Sequence, residues 1–182
     1  HATAAIPAGS HVHLHNMGFD RSMATRVIGT RLSNSVADLA SGAPSFQGYL
    51  RENGKVGTRN YIGILASVNC SALVARMIAD HFRDPARLAS FAGIDGVIAL
   101  THKSGCSVAE GSRSMGMLRM TLSGYARHPN FSGVLLVGLG CEDNQIDQLI
   151  ADENLTLGPC LRKLVMQETG GTRASVQRGI GD

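Results

Sequence analysis

The sequence predicts an α/β fold, a parallel sheet flanked by helices in the Rossmann or flavodoxin-like manner, preceded by the tail of a small β domain. Four apolar segments are each followed by a loop and an amphipathic helix, which is the pattern of strand–loop–helix units. Many of the 22 glycines fall in loops after apolar runs, where the backbone approaches its neighbours closely. Because right-handed crossovers connect parallel strands, all four strands should end at one edge of the sheet.

The first 47 residues are predicted to lie outside this sheet. "IPAGS" has turn chemistry and "HVHLH" alternates with a period of two, so residues 1–16 are interpreted as the end of a small β domain. Residues 17–47 are punctuated by Ser, Gly, Asn and Pro and are interpreted as a linker, with a short helix around residues 22–32. The chain opens on His1 in the approach to a strand, and we expect a fragment of a longer protein.

Residues 48–182 are predicted to form the α/β core domain. The first predicted strand, 61–68, is a continuous apolar run, as expected of a strand that is buried on both faces. The helix after it carries apolar residues at helical spacing. The other predicted strands are 96–101, 133–140 and 162–167, and the predicted helices are 70–82, 115–128, 145–153 and 173–180.

Composition excludes several classes of protein. With 43% hydrophobic residues the chain can bury a sizeable core, and its net charge of +3 is dispersed without interleaved aromatic residues, which argues against nucleic-acid binding. No apolar run approaches the roughly 18 residues of a membrane span, so no membrane partner is expected. The four cysteines form no C-x-x-C pair, and reduced thiols in a cytoplasmic protein are expected.

Three of the four cysteines fall at equivalent places in the predicted units. Cys70, Cys106 and Cys141 follow the first, second and third strands, so their thiols can converge if those strands are neighbours in the sheet. Three thiolates with an open position suit a soft, Lewis-acidic metal. The alternative is that each cysteine is a small apolar residue at a strand end. Cys160 precedes the fourth strand and is expected to be a bystander.

Polar residues in the same loops are candidates for acid–base chemistry and substrate contact. His102, Glu142 and Glu168 are predicted general acids or bases, although solvated loop residues are the commoner outcome. Asn69 and Ser71 flank Cys70 and are predicted to contact the substrate.

A glycine-rich turn, "ETGGT", opens the last predicted helix. Gly170 and Gly171 allow close backbone approach, and the helix N-terminus, with Thr172, favours an anion. A plain turn with Thr172 as the N-cap is the alternative. His11, His13 and His15 share one face of the predicted N-terminal strand, where they can bind a metal or a carboxylate or form an exposed polar face.

Four stretches together resemble the altronate/galactarate dehydratases, which are sugar-acid hydro-lyases. They are "GYLRENGKVGTRNYIGILASVNCS", "ALTHKSGCS", "LSGYARHPNFSGVLLVGLGCEDNQI" and "QETGGTR". The resemblance implies elimination of water from an aldonate or aldarate, a small anionic sugar acid, to give a 2-keto-3-deoxy sugar acid. It also implies iron, as Fe²⁺ or an iron–sulfur cluster, or another divalent metal. "HATAAIPAGSHVHLHN" looks like the end of the β-clip (SAF-type) domain that precedes this core in the family.

The resemblance extends to individual residues and leaves alternatives open. Positions that match family motifs are Cys70, His102, Cys106, Cys141, Glu142, Glu168 and Gly170. Lys103 and Ser107 depart from the family pattern, since a small residue and a Gly are expected there, which leaves the substrate open. Galactarate dehydratase, a sulfolactate sulfo-lyase relative and a non-catalytic ligand-binding module are the alternatives. Missing domains of the same chain are expected partners, and homo-oligomerisation is left open.

Overall fold

The structure is a computed structural model that describes residues 2–12, 16 and 45–182. The chain divides into two compact units, His1–Ser45 and Phe46–Asp182. In the first unit the predicted turn is present, since the Ser10 N–H donates to the Pro7 carbonyl over 3.1 Å. His11 is exposed and belongs to no strand. His13, His15 and the predicted helix around 22–32 lie outside the described residues.

The second unit contains a four-stranded parallel sheet, which confirms the predicted α/β fold. A short antiparallel hairpin, β1 (Tyr49–Leu50) and β2 (Val56–Gly57), precedes it. The sheet strands are β3 (Tyr61–Ala66), β4 (Gly96–Leu100), β5 (Phe131–Gly138) and β6 (Leu161–Val165), in the spatial order β4-β3-β5-β6. The helices are α1 (Ala72–His81), α2 (Arg113–Ala126), α3 (Ile146–Asp152), α4 (Met166–Thr169) and α5 (Thr172–Gly181). Among the described residues, no helix has the length and apolar character needed to cross a bilayer.

Strands β3, β5 and β6 each end two residues before their predicted C-terminal ends. The apolar pattern continues past β3 and β6 because a residue just beyond each of them is also buried in the core, and past β5 because Leu139 is apolar and half-buried. Val68 is fully buried beyond β3, and Met166 is 7% exposed although it already starts α4. The end of an apolar run therefore marks where burial ends, whereas the strand ends earlier, where its hydrogen bonds to the neighbouring strand stop.

Each face of the sheet buries an aliphatic cluster under helices. Consecutive strand residues point to opposite faces, so Ile64 and Leu135 pack towards α1 and α5, whereas Leu65 and Leu136 pack towards α2 and α3. Both faces of the central strands are thus covered, as is typical of parallel sheets. The predicted doubly wound arrangement is confirmed.

The segment "RENGKVGTRN", residues 51–60, lies at the amino edge of the sheet. The Arg51 guanidinium donates to the Pro129 carbonyl over 2.7 Å, and the Asn130 side chain accepts from the backbone of Thr58 and Arg59. A Cβ on Gly57 would lie 2.2 Å from the Pro129 oxygen, which explains the small residue there. These contacts give the segment a structural role, away from the edge where the strands end.

The strand order creates a switch point between β3 and β5. The chain leaves β3 towards β4 on one side and then crosses back to β5 on the other side. The loops that follow β3 and β5 therefore diverge and open a crevice at the carboxyl edge. Doubly wound folds bind their ligands in this position.

Candidate active site

The three cysteine-bearing loops are neighbours at the carboxyl edge of the sheet. Strands β4, β3 and β5 lie side by side, and each is followed by one of the predicted cysteines. Cys70 lies in a 3-10 turn, Asn69–Ser71, and Cys106 and Cys141 lie in the loops after β4 and β5. All three thiols are exposed. Cys160 immediately precedes β6, at the opposite end of its strand.

The thiols do not form a closed metal site as they are placed. In the part of the chain that the structure describes, no three His, Cys, Asp or Glu side chains lie close enough together to hold a metal ion. Three thiols are suitable donors for iron, but as they are placed here the described side chains are not gathered into a three-ligand set. Ligation by Cys70, Cys106 and Cys141 stays a prediction.

Glu142 is buried at the switch point, where its carboxylate joins two loops. It is 3% exposed and accepts from the Ser67 hydroxyl over 2.8 Å. It also accepts from the backbone N–H groups of Leu139 at 3.1 Å and Gly140 at 2.5 Å. Three donors therefore hold this one buried carboxylate in place. This geometry favours a role in shaping the loop that carries Cys141, whereas general acid or base chemistry by Glu142 stays a prediction.

Asn144 links the same region to the loop after β4. Its side chain is fully buried, and Nδ2 donates to the Ser67 carbonyl over 3.0 Å. Its backbone N–H donates to the Gly105 carbonyl over 3.2 Å. A Cβ on Gly105, where φ is +95°, would lie 2.5 Å from the Ser67 oxygen. Close packing of these loops therefore depends on a glycine beside Cys106.

A buried arginine on α2 completes this network. Arg119 is 4% exposed, and its Nε donates to Asn144 Oδ1 over 3.2 Å. Its two terminal nitrogens donate to the two carboxylate oxygens of Glu110, at 2.9 and 3.0 Å. One of these nitrogens also donates to the carboxylate of Asp152. The guanidinium thus anchors Asn144 to α2 while the two carboxylates balance its charge.

His102 is held between strands by both of its ring nitrogens. Nε2 lies 2.9 Å from the Ala66 carbonyl, and Nδ1 accepts from the Ser104 N–H over 3.1 Å. Because a carbonyl can only accept, these contacts assign the neutral ring with its proton on Nε2. His102 acts as a base at Nδ1 only if the Ser104 contact opens. Its catalytic role stays a prediction.

The residues around Cys70 differ in what they can offer a substrate. Asn69 is exposed, and its N–H donates to the Ser104 carbonyl over 2.9 Å, joining the loops after β3 and β4. Ser71 is fully buried, with its hydroxyl 2.6 Å from the Val137 carbonyl and 2.9 Å from that of Val68. This geometry favours a structural role for Ser71, whereas Asn69 remains open to a substrate.

The "ETGGT" turn follows β6, one strand away from the switch point. Glu168 is exposed on α4, and Gly170 and Gly171 both have positive φ, at 89° and 99°. The N-cap of α5 is Gly171, so the alternative in which Thr172 is the N-cap is wrong. The Gly171 N–H donates to the Met166 carbonyl, which leaves later N–H groups of the helix start for an anion. Substrate binding by Gly170, Gly171 and Thr172 stays a prediction.

The sequence patterns do not single out three residues of this network, which are Ser67, Arg119 and Asn144. A signal was present for each of them. Ser67 interrupts an apolar run, Arg119 stands alone among methionines and leucines in "MGMLRMTL", and Asn144 follows Glu142 closely in "CEDN". Buried polar residues in such positions require partners, and here they are partners of one another.

Comparison with known proteins identifies the family. A sequence model described as "D-galactarate dehydratase/Altronate hydrolase, second domain" matches residues 48–182. An altronate dehydratase of Escherichia coli (strain K12) is 38% identical over 148 residues, covering 80% of this chain and 28% of the relative. An altronate dehydratase of Bacillus subtilis (strain 168) is 31% identical over 171 residues, covering 85% of this chain and 31% of the relative.

The match covers only part of each relative. The chain spans less than a third of the length of these two curated relatives. No solved structure matches the chain. With the model matched across the whole α/β unit from Gly48 onward, the chain belongs to the D-galactarate dehydratase/altronate hydrolase family.

Proposed function

We propose that the protein is an altronate dehydratase-like hydro-lyase, which removes water from a sugar acid to give a 2-keto-3-deoxy sugar acid. The observation that carries the proposal is the family match over residues 48–182, together with the two relatives named altronate dehydratase. The carboxyl edge of the sheet supports it, because the loops that follow β3, β4 and β5 and carry the predicted cysteines are neighbours there, beside the switch point.

The proposed reaction is a β-elimination. A base takes the proton from the carbon next to the carboxylate, and that electron pair forms a double bond to the neighbouring carbon. The hydroxyl on that neighbour leaves with a proton as water, and the resulting enol rearranges to the 2-keto acid. Negative charge develops on the carboxylate during proton removal, so hydrogen-bond donors or cations must stabilise it.

Two residues of the chain are proposed to move protons. His102 presents a lone pair at Nδ1 once the Ser104 N–H is released, and that contact is the longer of its two at 3.1 Å. Glu168 is exposed at the same edge and is the proposed acid that protonates the leaving hydroxyl. Backbone N–H groups at the start of α5 are proposed to bind the substrate carboxylate.

Iron or another divalent metal remains our proposal for the cofactor. It would supply a Lewis acid that stabilises the developing negative charge. Since the described residues form no three-ligand set, the roles of His102 and Glu168 are argued without it.

A non-catalytic role within a larger enzyme is the second candidate. It is favoured by the internal hydrogen bonds of Glu142 and His102, which occupy two predicted catalytic groups. In that case residues 48–182 would supply a rigid ligand-binding edge, and the acid–base groups would come from elsewhere.

The test is turnover by the full-length protein purified without oxygen. Altronate, galactarate and further aldonates and aldarates are supplied separately, and formation of the 2-keto-3-deoxy acid is followed by mass spectrometry. We expect product from at least one of them, with incorporation of solvent deuterium at the carbon that lost its hydroxyl. Absence of product from every sugar acid, in protein reconstituted with Fe²⁺, would contradict the proposal.

A further inference from the structure

Asn144 contacts both neighbouring loops of the candidate site. Its side chain bonds to the Ser67 carbonyl in the loop after β3, and its backbone bonds to the Gly105 carbonyl in the loop after β4. Asn144 itself lies in the loop after β5. One buried residue therefore joins the three loops in which Cys70, Cys106 and Cys141 lie.

The contacts require an amide at this position. Nδ2 donates to a carbonyl, while Oδ1 accepts from Arg119 Nε. An ionised aspartate has the same shape but cannot donate, and it would face the Ser67 carbonyl with a second acceptor. An apolar residue would leave the Arg119 Nε and the Ser67 carbonyl without these partners in a buried place.

Both loop partners of Asn144 lie close in sequence to a cysteine. Gly105 precedes Cys106 directly, Ser67 is followed by Cys70 within one short turn, and Asn144 follows Cys141 in the same loop. A shift of the asparagine would displace all three loops together. We infer that Asn144 is a positioning residue, which sets the relative positions of the three cysteine loops for the reaction.

Asn60 provides a matched control at the opposite edge of the sheet. It is also buried, at 8% exposed, and its Nδ2 donates to the Gly93 carbonyl while its Oδ1 accepts from the Arg51 guanidinium. Asn144→Asp and Asn60→Asp therefore remove the same type of contact, one at the carboxyl edge and one at the amino edge.

The experiment measures amide hydrogen exchange and turnover in both full-length variants. We expect Asn144→Asp to speed exchange in residues 67–71, 101–107 and 139–145, and Asn60→Asp to speed it near residues 49–60 and 93–96.

The turnover measurement rests on the proposed function. There, Asn144→Asp should lower kcat by about tenfold or more with a smaller change in KM, because reacting groups are misplaced. Asn60→Asp should keep the kcat of the unchanged protein.

Each result has a defined meaning. The inference would be overturned if the three cysteine loops exchanged at the same rate in Asn144→Asp and Asn60→Asp. It would also be overturned if the two variants had the same kcat. If the unchanged protein turns over no sugar acid, the proposed function fails, and the exchange pattern alone still decides the role of Asn144. If Asn144→Asp does not fold, Asn144→Ser, which keeps a shorter donor and acceptor, is measured in the same way and judged by the same outcomes.

Discussion

The Ser67 hydroxyl donates a 2.8 Å hydrogen bond to Glu142 Oε1, and this bond spans the switch point between β3 and β5. The Ser67 carbonyl also accepts a hydrogen bond from Asn144 Nδ2. A Cβ on Gly138 would lie 2.4 Å from Glu142 Oε1, so the end of β5 leaves room for the carboxylate. The crevice between the two strands is thus closed at its base by buried polar contacts.

Replacing Glu142 by Gln should destabilise the protein by about 1–3 kcal/mol, because a neutral amide accepts fewer and weaker hydrogen bonds than a carboxylate with three donors. The free energy of unfolding is measured by urea denaturation. Asp143→Asn is the control, since Asp143 is exposed beside it and should change stability by less than about 0.5 kcal/mol. Equal effects of the two substitutions would contradict the structural role of Glu142.

Replacing Ser107 by Gly should stabilise the protein by about 1 kcal/mol, because Ser107 has a φ of 57°, where residues with a Cβ are strained. Asn154→Gly is the control. Asn154 has a φ of 49°, but asparagine tolerates this region, so little or no gain in melting temperature is expected. A loss of stability in Ser107→Gly would contradict the assigned conformation.

Replacing Arg119 by Met should destabilise the protein by about 1–3 kcal/mol, because a buried acceptor on Asn144 loses its donor while Glu110 and Asp152 lose a shared cation. The two carboxylates are partly exposed, which limits the loss from the ion pairs themselves. Arg113→Met, at the exposed start of α2, is the control and should be close to neutral. Thermal unfolding of both variants measures the difference, and a neutral Arg119→Met would count against the network.

The fold was largely predictable because the apolar runs, the loop residues and the helical periodicity of the sequence all indicate the same arrangement. The apolar runs are bounded by loops, and the helices after them show a clear period, so the parallel sheet follows from connection rules. Strand ends were less predictable. Val68 and Met166 are buried beyond the last paired residues, so their hydrophobicity extends the predicted strands.

The location of the candidate site was predictable, but its internal contacts were not. Placement of Cys70, Cys106 and Cys141 at one edge follows from strands that run in parallel. The Ser67–Glu142 and Ser67–Asn144 contacts join residues 75 and 77 positions apart, and they depend on β3 and β5 being neighbours. Order along the chain does not specify that adjacency, because β4 separates the two strands in sequence.

The most direct test of the account compares cysteine variants of the full-length protein in sugar-acid turnover. Cys106→Ser changes a thiol at the carboxyl edge, whereas Cys160→Ser changes an exposed thiol at the amino end of β6. Both proteins are purified without oxygen and assayed for the 2-keto-3-deoxy acid. We predict that Cys106→Ser loses turnover by about a hundredfold or more, because the proposed metal would lose one of its three predicted ligands and with it the stabilisation of the developing charge, while Cys160→Ser retains turnover. Full turnover by Cys106→Ser would contradict the account.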